Sequence, residues 1–206
     1  MGFTVSNIDS EDGQTIVRRG VRFPKFLHLA IVLRDVVATI SRPNDERLYH
    51  RAEDGSDLRA VIQRVSRARV VVDARVTGEI GAGLVVLVAV GRTDTPETAV
   101  VMAEKIVNLR IFNDEQGKMN RSLIDTGGAI LAISQFTLYG DARGGRRPTF
   151  IQAAPPEQGK ALYEEFVRAV TALGVRVETG VFQTHMSVEL TNDGPVTILL
   201  DSDKLF

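Results

Sequence analysis

The stretch SQFTLYGD, residues 134–141, groups hydroxyl and amide side chains at the point where an apolar run ends. Ser134, Gln135 and Thr137 follow AILAI, which predicts a buried strand. Backbone N–H groups at the end of a strand, supported by such side chains, can bind a carbonyl oxygen or a developing oxyanion. The same spacing also suits a structural role, in which Ser134 and Thr137 satisfy neighbouring backbone groups. Spacing alone leaves both interpretations open.

Other catalytic arrangements lack support in the sequence. His185 is the one histidine after residue 57, and no nucleophile and orienting acid accompany it in the pattern of a triad. We interpret it as an ordinary surface or partly buried histidine. No carboxylates cluster around it at metal-ligand spacing, the chain has no cysteine, and the Walker and dinucleotide glycine patterns are absent. The sequence therefore predicts neither a metal nor a cofactor.

A second unusual segment is NDGPVT, residues 192–197. Asp193-Gly194 lies between the apolar runs MSVEL and VTILL, which predicts a tight β-hairpin. Pro195, however, stands where the second strand would begin, and proline has no N–H to donate to a ladder. The tip would present bare carbonyl groups on a backbone of fixed φ, which raises the question of what those carbonyls contact.

The elements that must position these residues begin at Leu58. Three β-branched runs predict strands, Thr95-Pro96 predicts the start of a helix, and AILAISQF predicts another buried strand. A loop rich in Gly and Arg, a second helix ended by Gly174 and three short strands follow. This order predicts an α+β fold with a mixed or antiparallel, barrel-like sheet and two helices on one face.

Composition limits the classes of function. The 206 residues are 44% hydrophobic and 25% charged, as in ordinary soluble proteins. The apolar run Leu27 to Leu33 is too short to span a bilayer, and no secretory signal is evident, so we expect a cytoplasmic protein without membrane contact. Residues 58–206 carry 17 basic and 17 acidic side chains. This balance argues against a broad DNA-binding face and requires any RNA contact to be local.

Residues 1–57 differ from the rest of the chain. They carry turn signals such as SRPNDER and no sustained strand or helix period. We expect them to be a poorly ordered N-terminal extension, with a functional arm as the alternative, and residues 58–206 to form the functional domain.

The segments SQFTLYGD, RRPTF, AAPPEQ and NDGPVT, in this order and preceded by RAVIQRV, resemble the bacterial D-aminoacyl-tRNA deacylases, also known as D-tyrosyl-tRNA deacylases. The likeness runs from about Leu58 to Asp201. It implies an enzyme that hydrolyses the ester between a D-amino acid and tRNA. It also implies a homodimer, in which a cis Gly194-Pro195 tip enters the neighbouring subunit's active site and rejects L-residues. Glycine has no Cβ, so glycine mischarged onto alanine tRNA is implied as a further substrate.

The resemblance also implies three groups of site residues. They are Ser134, Gln135, Phe136 and Thr137 around the ester, Phe182 and Met186 near the terminal adenosine, and Arg64, Arg146 and Arg147 as phosphate contacts. Core packing explains the second group equally well, and a solvated loop explains the last two arginines nearly as well.

Two mechanisms compete. In the first, Thr137 attacks the ester, although no base to activate it is evident. In the second, water attacks with help from the 2′-hydroxyl of the terminal adenosine, while backbone N–H groups near Phe136 hold the oxyanion. We favour the second.

The sequence departs from the family at two places. Small residues are usual where this chain has Gln183 and Thr184, which puts affinity for the adenosine in question. Family members begin with Met at the position of Leu58, which suggests that residues 1–57 lie upstream of the true start. Two other functions stay open: a non-catalytic module that binds the acceptor end of tRNA, and a general esterase for D-amino acid derivatives.

Overall fold

The computed structural model describes residues 57–204, so the expectation of an unordered N-terminal extension falls almost wholly outside it. Within this range the chain forms eight strands, three α-helices and one 3-10 turn. The strands are β1 (Arg59–Val72), β2 (Arg75–Ile80), β3 (Gly83–Ala89), β4 (Phe112–Asn113), β5 (Met119–Arg121), β6 (Ala129–Ser134), β7 (Val177–Thr179) and β8 (Ser187–Asp201). The helices are α1 (Pro96–Val107), α2 (Leu123–Thr126) and α3 (Pro156–Ala172), and the 3-10 turn is Phe136–Tyr139.

The long strand β1 organises the sheet. Along one edge it pairs antiparallel with β8. Along the other edge its first half pairs with β3 and its second half with β2, both antiparallel. Strand β6 then lies parallel to β3 and β7, which gives the order β2-β1-β3-β6-β7. Because one strand serves both halves, the sheet curves strongly. The predicted α+β fold with a mixed, barrel-like sheet is confirmed.

Helices α1 and α3 pack against each other and against the same core as the sheet, as predicted. Helix α1 begins after Thr95, whose side chain accepts from the Thr98 N–H in a capping box, with Pro96 in the first turn. Phe166 of α3 is fully buried in this core. No helix among residues 57–204 is long and apolar enough to cross a membrane.

Two small elements were not predicted. Strands β4 and β5 form a short hairpin, and α2 follows it with its own capping box between Ser122 and Asp125. Both are too short to produce a period in the sequence.

The predicted hairpin at Asp193-Gly194 is wrong. Residues 187–190 of MSVEL and 197–200 of VTILL do not pair with each other, since both segments lie in β8 and both pair with β1. The register joins Gln63 to Thr197 and Val65 to Asn192, so four residues, 193–196, stand opposite Arg64 alone. We call this four-residue excursion the 193–196 bulge. Asp-Gly favours a local reversal, but β8 pairs with β1 on both sides of the bulge, so the chain continues along the same partner strand.

Candidate active site

Four of the predicted site residues lie at one edge of the sheet. Strand β6 ends at Ser134, and the Gln135 N–H donates to the carbonyl of Val88 on β3 at 2.7 Å. Strand β7 runs parallel to β6, with Ala132 paired to Thr179. Because parallel strands carry their carboxyl ends to the same edge, the turn after β6 and the segment after β7 emerge side by side. The structure thus brings the Ser134–Thr137 segment and the Phe182–Met186 segment to one edge.

The hydroxyl of Thr137 lacks a base. Its Oγ1 accepts a hydrogen bond from Nε2 of Gln135. An amide is not a base at neutral pH in either orientation, and the part of the chain that the structure describes gives this hydroxyl no bond to a carboxylate or an imidazole. The arrangement holds Thr137 in place without activating it as a nucleophile.

The backbone of the 3-10 turn offers donors at its start. Within the turn, the Leu138 N–H donates to the Gln135 carbonyl, and the Gly140 N–H donates to the Thr137 carbonyl. The N–H groups of Phe136 and Thr137 begin the turn, so they have no acceptor inside it. Phe136 is 57% exposed, and Thr137 is also exposed. Two neighbouring N–H groups at an exposed turn suit a developing oxyanion.

The turn is fixed from behind by Tyr139 and Arg59. Tyr139 is 3% exposed and donates its hydroxyl to the carbonyl of Asp57. The Arg59 guanidinium lies 4.5 Å from the centre of the Tyr139 ring and donates through Nη1 to the Leu138 carbonyl at 3.3 Å. Its Nε donates to the fully buried carboxylate of Asp201 at 3.2 Å. Arg59 therefore connects the turn to both β1 and β8.

We expect Arg59→Lys to lower kcat about tenfold with little change in KM. Lysine keeps the charge but lacks the planar fork that bonds Leu138 and Asp201 and stacks on Tyr139, so the turn loses its fixed position. Steady-state deacylation measures both constants. Arg69→Lys, an exposed arginine on the same strand paired with Glu189, is the matched control. An unchanged kcat in a folded Arg59→Lys protein contradicts this role.

Asp94 is a buried carboxylate beneath the same region. It accepts from the Gly91 N–H at 2.6 Å and from the Asp57 N–H at 2.7 Å. Burial raises its pKa to about 6, and the two backbone donors only partly offset this. The folded state thus binds a proton more tightly than the unfolded state, whose pKa is about 3.8.

Because of this raised pKa, Asp94 destabilises the fold above pH 6, and the loss is relieved as the pH falls from 6 towards 4. We expect Asp94→Asn to remove about 2 kcal/mol of that dependence. Chemical denaturation at pH 7.5 and pH 4.5 measures it. Asp73→Asn, in the exposed turn after β1, is the matched control substitution. An Asp94→Asn protein with the dependence of the parent would refute this assignment.

The structure places Arg64 under the 193–196 bulge. Its side chain is 8% exposed. Nε donates to the Asp193 carbonyl at 3.0 Å and Nη1 to the Ile111 carbonyl at 2.6 Å, while the Asp193 carboxylate lies 3.3 Å from Nε. Arg146 and Arg147, in contrast, are exposed in the loop after the turn. The three arginines expected to contact phosphate therefore differ in environment, and Arg64 supports the bulge from inside.

The bulge itself requires glycine. Gly194 has φ +138°, and a Cβ added there would lie 2.7 Å from Cγ2 and 2.9 Å from N of Val196. The Gly194-Pro195 peptide is cis. Asn192 closes the bulge, since its Oδ1 accepts from the Val196 N–H at 2.7 Å and its Nδ2 donates to the Val196 carbonyl. The tip is exposed, with its backbone fixed by these contacts.

Phe182 and Met186 are half-buried rather than fully in the core. The Phe182 ring centre lies 6.4 Å from that of Tyr163, and Met186 packs against a cluster of buried residues from β1, β2, β3 and β6 that includes Val70 and Ile133. Gln183 is exposed, with φ +58°. The half-burial is compatible with both interpretations of this pair, core packing and a ring available to a base.

Sequence reasoning missed Arg59, Tyr139 and Asp94. Tyr139 lies inside SQFTLYGD, but nothing marks it as buried. Each of the three residues also has a partner far away in the chain, which is Asp57 for both Tyr139 and Asp94 and is Asp201 for Arg59. Spacing gives no signal for such a cluster. No group of three or more His, Asp or Glu in residues 57–204 can hold a metal ion.

Comparison with known proteins identifies relatives. The family model described as D-Tyr-tRNA(Tyr) deacylase matches residues 61–201. A D-aminoacyl-tRNA deacylase of Symbiobacterium thermophilum is 63% identical over 149 residues, which cover 72% of this chain and 99% of the relative. A protein of the same name from Desulforudis audaxviator is 60% identical over 149 residues, which cover 72% of this chain and all of the relative.

Two solved structures share the fold. The c-Myc DNA unwinding element binding protein superposes with a TM-score of 0.65 at 40% identity, covering 69% of this chain and 97% of that chain. A probable eukaryotic D-amino acid tRNA deacylase superposes with a TM-score of 0.63 at 22% identity, covering 70% and 99%. The second likeness supports the fold alone.

Proposed function

This chain belongs to the D-Tyr-tRNA(Tyr) deacylase family and is a hydrolase of the ester bond in D-aminoacyl-tRNA, and from that premise we propose how it selects and cleaves its substrate. The proposal assigns the ester to the Ser134–Thr137 segment and chirality to the 193–196 bulge. The observation that carries it is the bulge, whose exposed backbone is held rigid by Arg64 from inside and by Asn192 across its neck.

In this proposal, L-aminoacyl groups are excluded sterically. D-amino acids of different sizes share no side-chain shape, so a pocket cannot select them by complementarity to the side chain. Rigid backbone atoms of Gly194 and Pro195 can instead occupy the position that the Cβ of an L-residue would need. Glycine lacks a Cβ, so the enzyme also accepts glycine mischarged onto alanine tRNA.

The bulge acts in the partner subunit of a homodimer. In its own chain it projects from β8, and its neighbours there are β1 and the Ile111–Asn113 segment, contacted through Arg64. An exposed backbone tip with such fixed geometry suits insertion into a second copy, where its carbonyls face the aminoacyl group. The acceptor end of tRNA is the other partner, with Phe182 and Met186 beside the terminal adenosine and Arg146 and Arg147 beside phosphates.

The chemistry uses water and the RNA. The 2′-hydroxyl of the terminal adenosine assists the attacking water, and the N–H groups of Phe136 and Thr137 stabilise the oxyanion. The absence of a base on Thr137 within the described residues supports this route over a Thr137 nucleophile. No cofactor takes part.

The test compares matched D-Tyr-tRNA and L-Tyr-tRNA with the full chain and with a protein that begins at Leu58. Rapid loss of the D-ester with the L-ester spared supports the proposed selection, and equal rates for the two proteins support residues 58–206 as the deacylase domain. Equal hydrolysis of both esters contradicts the gate. Fast hydrolysis of a D-tyrosine methyl ester indicates a general esterase instead, and tight binding without hydrolysis indicates a binding module.

A further inference from the structure

An exposed apolar surface lies beside the candidate site. Phe136, Phe150 and Ile151 are 57%, 37% and 68% exposed, and we call these three residues the aromatic ledge. The rings of Phe136 and Phe150 meet edge to face, with centres 5.2 Å apart and planes at 71°. Contiguous apolar surface next to a site marks a place where a partner binds.

The ledge is held in shape by its backbone. Asp141 and Thr149 form an antiparallel bridge with two hydrogen bonds of 2.9 Å, which fixes the chain just before Phe150. After the ledge, the Arg92 N–H donates to the Gln152 carbonyl at 3.2 Å. Gly140 lets the ring approach, because a Cβ there would lie 3.2 Å from Cε1 of Phe150. The ledge is therefore a pre-organised surface, held in shape by backbone hydrogen bonds on both sides.

The loop inside this bridge supplies positive charge. Arg143 is neutralised by Asp141, which accepts from its side chain at 2.6 and 2.9 Å. Arg146 and Arg147 make no hydrogen bond or ion pair with any residue of 57–204, and both are exposed. The loop thus places uncompensated cations a few residues before the ring of Phe150, and proteins bind single-stranded nucleic acid with this combination of base stacking and phosphate contacts.

We propose that the aromatic ledge and Arg146 and Arg147 bind the single-stranded nucleotides that precede the terminal adenosine of tRNA. A base of this stretch stacks on Phe150, and the phosphates on either side of it lie against the two arginines. The proposal rests on the proposed function, since it extends the same substrate beyond the ester. It also gives residues 58–206 an RNA contact that is local, in keeping with their balance of 17 basic and 17 acidic side chains.

The test uses the full chain, the variants Phe150→Ala and Phe150→Leu, and two substrates: D-Tyr-tRNA and 3′-O-D-tyrosyl-adenosine, which lacks the preceding nucleotides. Stacking of a base on an aromatic side chain contributes to affinity whatever the base is. We therefore expect kcat/KM for D-Tyr-tRNA to fall about tenfold further than kcat/KM for D-tyrosyl-adenosine. Phe150→Leu keeps apolar bulk but has no ring, so we expect it to show the same larger loss of kcat/KM on D-Tyr-tRNA than on D-tyrosyl-adenosine. Val76→Ala, an exposed apolar residue on β2, is the control.

Equal losses on both substrates would overturn the proposal, because Phe150 would then only support the Phe136–Tyr139 turn. A double Arg146→Gln, Arg147→Gln variant should reduce the salt dependence of binding to an acceptor-stem hairpin RNA with a single-stranded 3′ end, and not to its blunt-ended form. An unchanged salt dependence also overturns it. If wild-type protein hydrolyses neither ester, the proposed function fails, while this binding measurement still decides the ledge.

Discussion

D-Tyr-tRNA whose terminal adenosine lacks the 2′-hydroxyl, with tyrosine on the 3′-oxygen, is expected to be hydrolysed at least 10²-fold more slowly than the normal substrate. A group that transfers a proton in the transition state contributes about 10²–10⁴ in rate. Among the described site residues, no side chain is placed to take over this role from the 2′-hydroxyl. Among residues 57–204, the Thr137 hydroxyl has its side-chain hydrogen bond with the amide of Gln135, which is not a base, so we expect Thr137→Ala to keep most of the activity. Single-turnover rates on both substrates measure the two effects.

The outcome that contradicts this mechanism is a folded Thr137→Ala protein without activity. Thr171→Ala, an exposed threonine of α3 that bonds only the backbone of its own helix, controls for loss of a hydroxyl. A deoxy substrate that is cleaved at the normal rate would remove the RNA from the chemistry. The side chains of Ser134–Thr137 would then be the candidates for the proton transfer.

Gly194→Ala is expected to reduce deacylation of D-Tyr-tRNA about 10²-fold. A Cβ at this φ of +138° meets Val196 at 2.7 Å and the Arg64 Nη2 at 3.3 Å, so the bulge must shift. A displacement of about 1 Å in a positioning group can cost 10² in rate. Gly144→Ala is the matched control, because nothing lies within 4 Å of its added Cβ. Unchanged activity with an unchanged melting temperature would exclude the bulge from the reaction.

A mixing experiment tests whether the bulge acts across subunits. Phe136→Pro removes an N–H proposed to hold the oxyanion, and proline is tolerated at the start of a helical turn. If Gly194→Ala and Phe136→Pro are both inactive alone, a heterodimer still has one site with an intact turn and an intact incoming bulge. We expect activity to return on mixing. Failure to recover activity in a verified heterodimer would place the bulge in its own subunit's site.

The parts of the fold that sequence predicted are those with local patterns. Strand β6 and the start of α1 follow from an apolar run and from Thr95-Pro96. The continuity of β8 could not be predicted, because it depends on pairing with a strand far earlier in the chain, as in the Arg67–Thr191 contact, which joins residues 124 positions apart. The same reason hid the role of Arg64: sequence shows its charge, but only the tertiary structure shows that the charge is buried.

The pairing of β1 with β8 also determines how late in synthesis the fold of this enzyme can be completed. Strand β1 is made early and its partner along one whole edge is made last, so a nascent chain carries an open strand edge until Asp201 is available. The 193–196 bulge is held by Arg64, which lies in β1 and is therefore synthesised long before the bulge. The bulge is thus among the last parts of the fold to form, and a chain that stalls before residue 193 would lack it.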